Sequence, residues 1–241
     1  MKYVFNTCVP FSQTGVKEGL SVIGAAQIIE DSVCAFFAAL GKDNATLYNK
    51  YNAMWVFVRN KFQKRALANW NEEITVESFF TKTTAATVVV DTVVKNFKGE
   101  TALVARTELC VINLDTQRIC RIALVDFPAD IKVYESDAGF DFIRFPAVAL
   151  REEYKFNVPS TSIDSCMHLN NVEYLRFILN ASSVEREIEN PVRETEINFV
   201  AQARENELLT VFGGANEENE IYEIRSGEKV VLRCQISRGR V

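Results

Sequence analysis

The segment Asp164-Ser165-Cys166-Met167-His168-Leu169-Asn170-Asn171 holds the only histidine of this 241-residue chain. It opens an amphipathic helix that the apolar spacing predicts from Asn170 to about Asn180. Asn170 suits the N-cap, and Glu173 three residues later gives a capping-box-like arrangement. First-turn N–H groups left free would point towards the loop with the positive end of the helix dipole. Such groups can polarise a substrate carbonyl. His168 lies two residues ahead of the cap, close enough to share that site. Asp164 either orients the imidazole, holds a water molecule, or serves as an ordinary turn residue. Cys166 has two readings as well, a nucleophile paired with His168 or a packing thiol.

Working outward, a strand is expected to begin near Arg193. Ile197, Phe199, Ala201 and Ala203 alternate with Asn198, Val200, Gln202 and Arg204, and period-two geometry puts the first set on one face. If the strand stays regular, Glu205 continues that apolar face as a partly desolvated carboxylate, suited to act as a general base or to hold water. If the strand ends at Arg204, Glu205 sits in a solvated turn.

The same order of elements is expected twice. The first half reads as a strand at Met1–Val9, a loop, and a helix from about Ser21 to Leu40 closed by Gly41. Four strands follow at Met54–Lys64, Glu73–Thr81, Thr87–Phe97 and Ala102–Asn113, with a hairpin turn at Asn96–Glu100. In the second half the strand is Glu152–Val158, then a loop and the helix at Asn170. Its four strands are Glu194–Arg204, Glu207–Phe212, Glu220–Arg225 and Lys229–Ser237, with turns at Gly213-Gly214 and Ser226–Glu228. Strand, helix and four-stranded meander is the order of a hotdog unit, in which an antiparallel sheet wraps a long helix. The expected fold is α+β, a tandem double hotdog. The expected division is an N-terminal hotdog over 1–125, a crossover over 126–150 and a C-terminal hotdog over 151–241.

Composition narrows the function classes. Hydrophobic residues make up 48% of the chain, enough for a real core. A net charge of −5 disfavours nucleic acid as a partner. No uninterrupted apolar run approaches a membrane span, and the N-terminus has neither a signal-peptide core nor a transit-peptide composition. The six cysteines include no C-x-x-C pair and have one histidine to assist them, so no metal is expected. They read as reduced thiols, which makes a cytoplasmic location the expectation. No nucleotide-binding glycine motif appears, and no cofactor is expected. The basic run Arg59-Asn60-Lys61-Phe62-Gln63-Lys64-Arg65 is either a docking patch for an acidic partner or the solvated face of a strand. Exposed strand edges allow a homodimer.

Asp-x-x-x-His-x-Asn-Asn before a helix, with Glu205 37 residues past His168, resembles the acyl-acyl carrier protein thioesterase family. Plant members of that family read Asp-x-Asn-x-His-x-Asn-Asn here. Phe11–Gly15, Trp55–Arg59 and Thr107–Arg118 are also similar to the family's first half. The resemblance implies hydrolysis of fatty acyl-acyl carrier protein to free fatty acid and holo-carrier. The partner would be an acyl carrier protein whose phosphopantetheine arm carries the acyl chain. Carried over residue by residue, Asp164, His168 and Glu205 take the catalytic positions. Glu205 with Asp164 would activate water while His168 and the helix amides polarise the carbonyl. Cys166 stands where the family has Asn, and Asn206 where plant members often have Cys. These two, with Asn170 and Asn171, are the expected site-lining residues. The first half has no histidine in its matching loop and is expected to supply the acyl pocket. An acyl-CoA thioesterase and a catalytically degenerate acyl-binding protein are the alternatives.

Overall fold

The computed structural model describes residues 1–16, 19–136 and 138–240. The β-branched and aromatic stretches pair into one antiparallel sheet. Its strands are β1 (Tyr3–Cys8), β2 (Ala53–Lys64), β3 (Glu73–Thr83), β4 (Thr87–Lys95), β5 (Thr101–Asn113), β6 (Arg118–Cys120), β7 (Arg151–Asn157), β8 (Val192–Phe199), β9 (Leu208–Ala215), β10 (Glu220–Ser226) and β11 (Lys229–Arg238). Their order is β1-β3-β4-β5-β2-β8-β11-β10-β9-β7, with β6 beside β5. Read from either end, the order gives first strand, three meander strands, then the strand that follows the helix. The two sets join where β2 pairs antiparallel with β8, Arg59 opposite Asn198 and Phe62 opposite Thr195.

Each half wraps a helix. In the first, α1 (Val22–Ala39) starts where Ser21 Oγ accepts from Gly24 N–H at 2.9 Å. It ends at Gly41, whose φ of +66° suits glycine. A Cβ on Gly24 would stand 2.3 Å from the Gln13 carbonyl oxygen, so only glycine lets the 3₁₀ turn Phe11–Gln13 lie against the helix. By length and composition α1 could cross a membrane, but Ala25, Ile29, Val33 and Phe36 bury its apolar side in the core. In the second half, α3 (Asn171–Leu179) buries Leu175 and Ile178 completely. One apolar cluster runs through both halves, from Val9, Ile29 and Phe62 to Leu175, Ile197 and Ile236. A second, aromatic cluster in the first half gathers Phe36, Phe37, Trp55, Phe80 and Phe127. This is a tandem double hotdog.

Several expectations need correction. Two short helices were not anticipated, α2 (Asn44–Tyr51) and α4 (Val184–Glu189). Both are weakly apolar, and what defines them is a cap: Asp43 on Thr46 N–H and Ser183 on Arg186 N–H. Gly213 and Gly214 make no turn. They lie inside β9, because the Ala149 carbonyl passes so close that a Cβ on Gly214 would stand 2.4 Å from it. The turn falls one step later, where Asn216 Oδ1 accepts from the N–H groups of Glu218 and Asn219.

The basic run on β2 is neither a free patch nor a solvated face. Phe62 and Ile197 face the core, so Lys61 and Glu196 face the opposite side of the sheet. There the crossover segment covers them. The Lys61 ammonium lies 3.1 Å from Glu194 Oε1 and 3.2 Å from Glu196 Oε2, the latter an ion pair without hydrogen-bond alignment. Lys61 also donates to the Asp141 carbonyl (3.3 Å), and Ile143 N–H donates to Glu196 Oε1 (3.0 Å). Arg106 forks onto Asp91 at 2.9 and 3.1 Å and reaches the Phe140 carbonyl at 2.8 Å. Two phenylalanines of the crossover add ring contacts to these cations, Phe140 to Lys61 and Phe142 to Arg59.

Candidate active site

The His168 loop closes on its own backbone. Asp164 N–H donates to the His168 carbonyl (2.9 Å) and Met167 N–H to the Asp164 carbonyl (3.0 Å), with Met167 at φ +63°. Asp164 Oδ1 accepts from Cys166 N–H at 2.8 Å and from His168 N–H at 3.4 Å. The Asp164 side chain therefore shapes the turn. Leu169 N–H to the Ala203 carbonyl and Asn170 N–H to the Ser162 carbonyl, both 2.9 Å, seat the loop. Tyr174 Oη accepts from Ala203 N–H at 2.9 Å and ties that seat to α3.

The first half builds the same loop. Gly15 N–H donates to Gly19, Leu20 N–H to Ala68 and Ser21 N–H to Gln13. In that correspondence Gly15 matches Asp164, Gly19 matches His168 and Ser21 matches Asn170. One loop carries an acid and an imidazole, and the other has glycines in both places.

At the start of α3, Asn170 Oδ1 accepts from Val172 N–H at 2.8 Å. The expected capping box does not close. Glu173 turns instead to Ser162 Oγ (3.3 Å) and Arg176 Nε (3.0 Å). Glu173 N–H bonds the Asn170 carbonyl, which leaves Asn171 N–H as the first-turn donor nearest the loop.

A cavity of about 860 Å³ lies in front of this unit, bounded on one side by Asp164, Cys166, His168, Asn170 and Asn171. An apolar wall comes largely from the first half, with Val33, Phe37, Met54, Trp55, Phe57 and Leu109, and polar residues such as Glu30, Asn44 and Arg204 complete the lining. His168 is half-buried, and its Nδ1 is buried with no hydrogen-bond partner among the described residues. Burial lowers the imidazole pKa from its ordinary value; Asp164 opposes this and the Arg204 cation adds to it. The Cys166 backbone opposes the lowering as well, and the net direction favours the neutral imidazole. The Cys166 thiol goes the other way. Burial and Asp164 raise its pKa, while the Asn44 amide donates to its sulfur at 3.6 Å. Asn44 is itself fixed by Trp55 N–H, which donates to its Oδ1 at 2.7 Å.

Glu205 is not in the cavity. The strand expected to carry it ends at Phe199, since Val200 and Ala201 N–H both turn to the Val231 carbonyl. Glu205 and Asn206 then form an exposed turn, with Asn206 at φ +63°. Of the expected residues, the structure brings together Asp164, Cys166, His168, Asn170 and Asn171, and leaves Glu205 and Asn206 outside.

Polar residues missed from the sequence also line the cavity, among them Glu30, Asn44, Gln202 and Arg204. Glu30 carried a signal, being a carboxylate within the apolar helix α1. Gln202 and Arg204 carried none, because their placement depends on where β8 ends. Among the described residues no group of three or more His, Cys, Asp or Glu is placed to hold a metal ion.

Comparison with known proteins agrees with this fold. The model of the acyl-ACP thioesterase N-terminal domain matches residues 1–127. An acyl-ACP thioesterase structure from Bacteroides thetaiotaomicron superposes with a TM-score of 0.88 at 18% identity, covering 99% of this chain and 98% of that one. The 12:0-ACP thioesterase of Umbellularia californica superposes with a TM-score of 0.84 at 14% identity, covering 99% and 97%. No curated protein sequence matches the chain. At these identities the superpositions establish the fold, and the domain match over more than half the chain establishes the lineage. The chain belongs to the acyl-ACP thioesterase family of thioester hydrolases.

Proposed function

We propose that the chain hydrolyses the thioester between a fatty acyl chain and the phosphopantetheine arm of an acyl carrier protein. One observation carries this reading. His168 and the N-terminal residues Asn170 and Asn171 of α3 border a cavity that Val33, Phe37, Met54, Trp55, Phe57 and Leu109 line with apolar side chains. An acyl chain fits the apolar walls, and the thioester then lies at the polar end beside His168.

In this reading neutral His168 and Asn171 N–H donate to the carbonyl oxygen and stabilise the oxyanion. Asp164 keeps both in place by forming the turn. The thiolate leaves without strong acid assistance, because a thiol pKa is about 8.5. Cys166 stays protonated and lines the site. Asp164 Oδ1 accepts from the two N–H groups that shape the turn, and Glu205 faces solvent. The attacking water therefore meets its proton acceptor among the carboxylates that border the cavity, Asp164 and Glu30 among them.

The test is thiol release from a panel of acyl-acyl carrier proteins and matched acyl-CoAs. Wild type should prefer carrier-protein substrates. His168→Ala should lower kcat by about 10²–10³, the usual loss of one oxyanion donor. Glu205→Ala should stay within a few-fold of wild type. Faster release from CoA would assign the site to acyl-CoA hydrolysis. Acyl binding without release would make the protein a binder and overturn the proposal.

A further inference from the structure

Glu30 lies in the middle of α1, in the half of the molecule opposite the His168 loop. Its carboxylate reaches across to the N-terminus of α3. Oε1 accepts from Asn171 Nδ2 at 3.0 Å, and Oε2 accepts from Asn170 Nδ2 at 3.2 Å. Asn170 Nδ2 also lies 3.4 Å from Oε1. A carboxylate has about four acceptor sites, so capacity remains for a further donor such as water.

Glu30 also stands between two cavities. On one side is the cavity with His168 and the apolar wall of the first half. On the other is a polar cavity of about 460 Å³ lined by Ser12, Gln13, Gln27, Thr161 and Glu173, among others. Glu30, Asp164 and Asn170 border both. Asp31 borders both as well, but it is exposed. The polar side holds water readily, and the apolar side holds the acyl group.

We propose that Glu30 is the general base of the hydrolysis, taking a proton from a water molecule supplied through the polar cavity. This rests on the thioesterase reading. The water oxygen forms a bond to the carbonyl carbon as its O–H bond breaks, and that proton goes to the Glu30 carboxylate. The oxyanion forms against His168 and Asn171 N–H. When the C–S bond breaks, the sulfur takes its electron pair, and Glu30 returns the proton to it. The products are a carboxylic acid and a thiol, and the enzyme is unchanged.

The surroundings suit a base. Burial raises the Glu30 pKa above the ordinary value, the two Asn amides lower it, and Asp164 and Asp31 raise it again. The titratable groups facing it are Asp31 and Cys34 on α1, Asp164, Cys166 and His168 in the loop, and Glu173 on α3. A carboxylate pKa moved towards neutrality makes a stronger base at working pH.

A purely structural Glu30 would also hold α1 to α3, and three readouts separate the two roles. Glu30→Gln keeps an acceptor for the Asn amides but cannot take a proton. Its kcat should fall by about 10²–10⁴ with KM little changed. Wild type should lose activity towards acid pH as Glu30 protonates, since a protonated His168 still donates to the oxyanion. That acid limb, of unit logarithmic slope, should be absent in Glu30→Gln. Glu30→Ala should regain rate on addition of formate, saturably, because formate can occupy the vacated carboxylate site from the polar cavity. A Glu30→Gln enzyme with near wild-type kcat would overturn the proposal, as would an unchanged acid limb or the absence of formate rescue. His168→Ala, assayed in parallel, keeps the two claims apart. If wild type turns over, His168→Ala does not, and Glu30→Gln does, Glu30 alone is wrong. If wild type releases no thiol from any substrate, the thioesterase reading fails and the base with it.

Discussion

The seam between the two halves rests on a buried ion cluster, and Lys61→Met tests it. Lys61 and Glu196 have side chains 6% and 2% exposed, so solvent screening is slight. Removing one member of a buried pair costs about 3–5 kcal/mol. For a chain of this length each kcal/mol moves Tm by about 2–4 °C, which gives a fall of roughly 6–20 °C. The loss should depend on pH. Burial already holds the folded pKa of Glu196 above its ordinary 4.5, with Ile143 N–H and Lys61 opposing. Without Lys61 the folded pKa rises further. A carboxyl whose folded pKa exceeds its unfolded value carries no penalty below the unfolded pKa and the full penalty above the folded one. The deficit of Lys61→Met should therefore be small near pH 4 and grow towards pH 8. Adding Glu196→Gln keeps an acceptor for Ile143 N–H and removes the stranded charge, so the double variant should recover most of the loss. Differential scanning calorimetry across that pH range is the assay. A Lys61→Met protein as stable as wild type at pH 8 would refute the reasoning, and so would a double variant less stable than the single.

Two further outcomes are expected. Cys166→Ala should retain turnover, since a thiol whose pKa is raised by burial and a neighbouring carboxylate is a poor source of thiolate; steady-state kinetics showing complete loss would restore a nucleophilic role. Gly24→Ala should lower Tm by roughly 2–12 °C in calorimetry, because overpacking costs about 1–3 kcal/mol and the added Cβ meets the backbone carbonyl of Gln13 at 2.3 Å. A Tm unchanged or raised by the better helix former would contradict that packing argument.

The architecture could be read from the chain because its signals are local. Ser21 and Asn170 sit at helix starts, Gly41 and Gly99 at positive φ, and the repeated strand spacing gives the twofold order. What failed depends on contacts distant in sequence. Alternation alone carries β8 through Arg204, yet the Val231 carbonyl draws Val200 and Ala201 out of the ladder, and Glu205 leaves the site. The basic run reads as surface until the crossover closes over Lys61. For the site itself, the His168 loop was recognisable as a short contiguous motif. Glu30 lies 138 residues before His168, and only the packing of α1 on α3 brings its carboxylate to Asn170 and Asn171.

The twofold arrangement also explains why a single chain carries one site. Glu30 is nine residues past the cap Ser21, and nine residues past the matching cap Asn170 is Leu179. A mirror site, made from the first-half loop and the second-half helix, would need an imidazole at Gly19 and a carboxylate at Leu179. Glycine and leucine supply neither, and Leu179 packs against the core. With that site absent, the first half is free to shape the apolar cavity with Val33, Phe37, Trp55 and Leu109. The second half must keep the loop geometry that Asp164 enforces. The proposed base and the oxyanion donors then lie on different halves, so the β2–β8 seam sets the distance between them. Perturbing Lys61 on the far face of that seam should therefore lower kcat even under conditions where the protein remains folded.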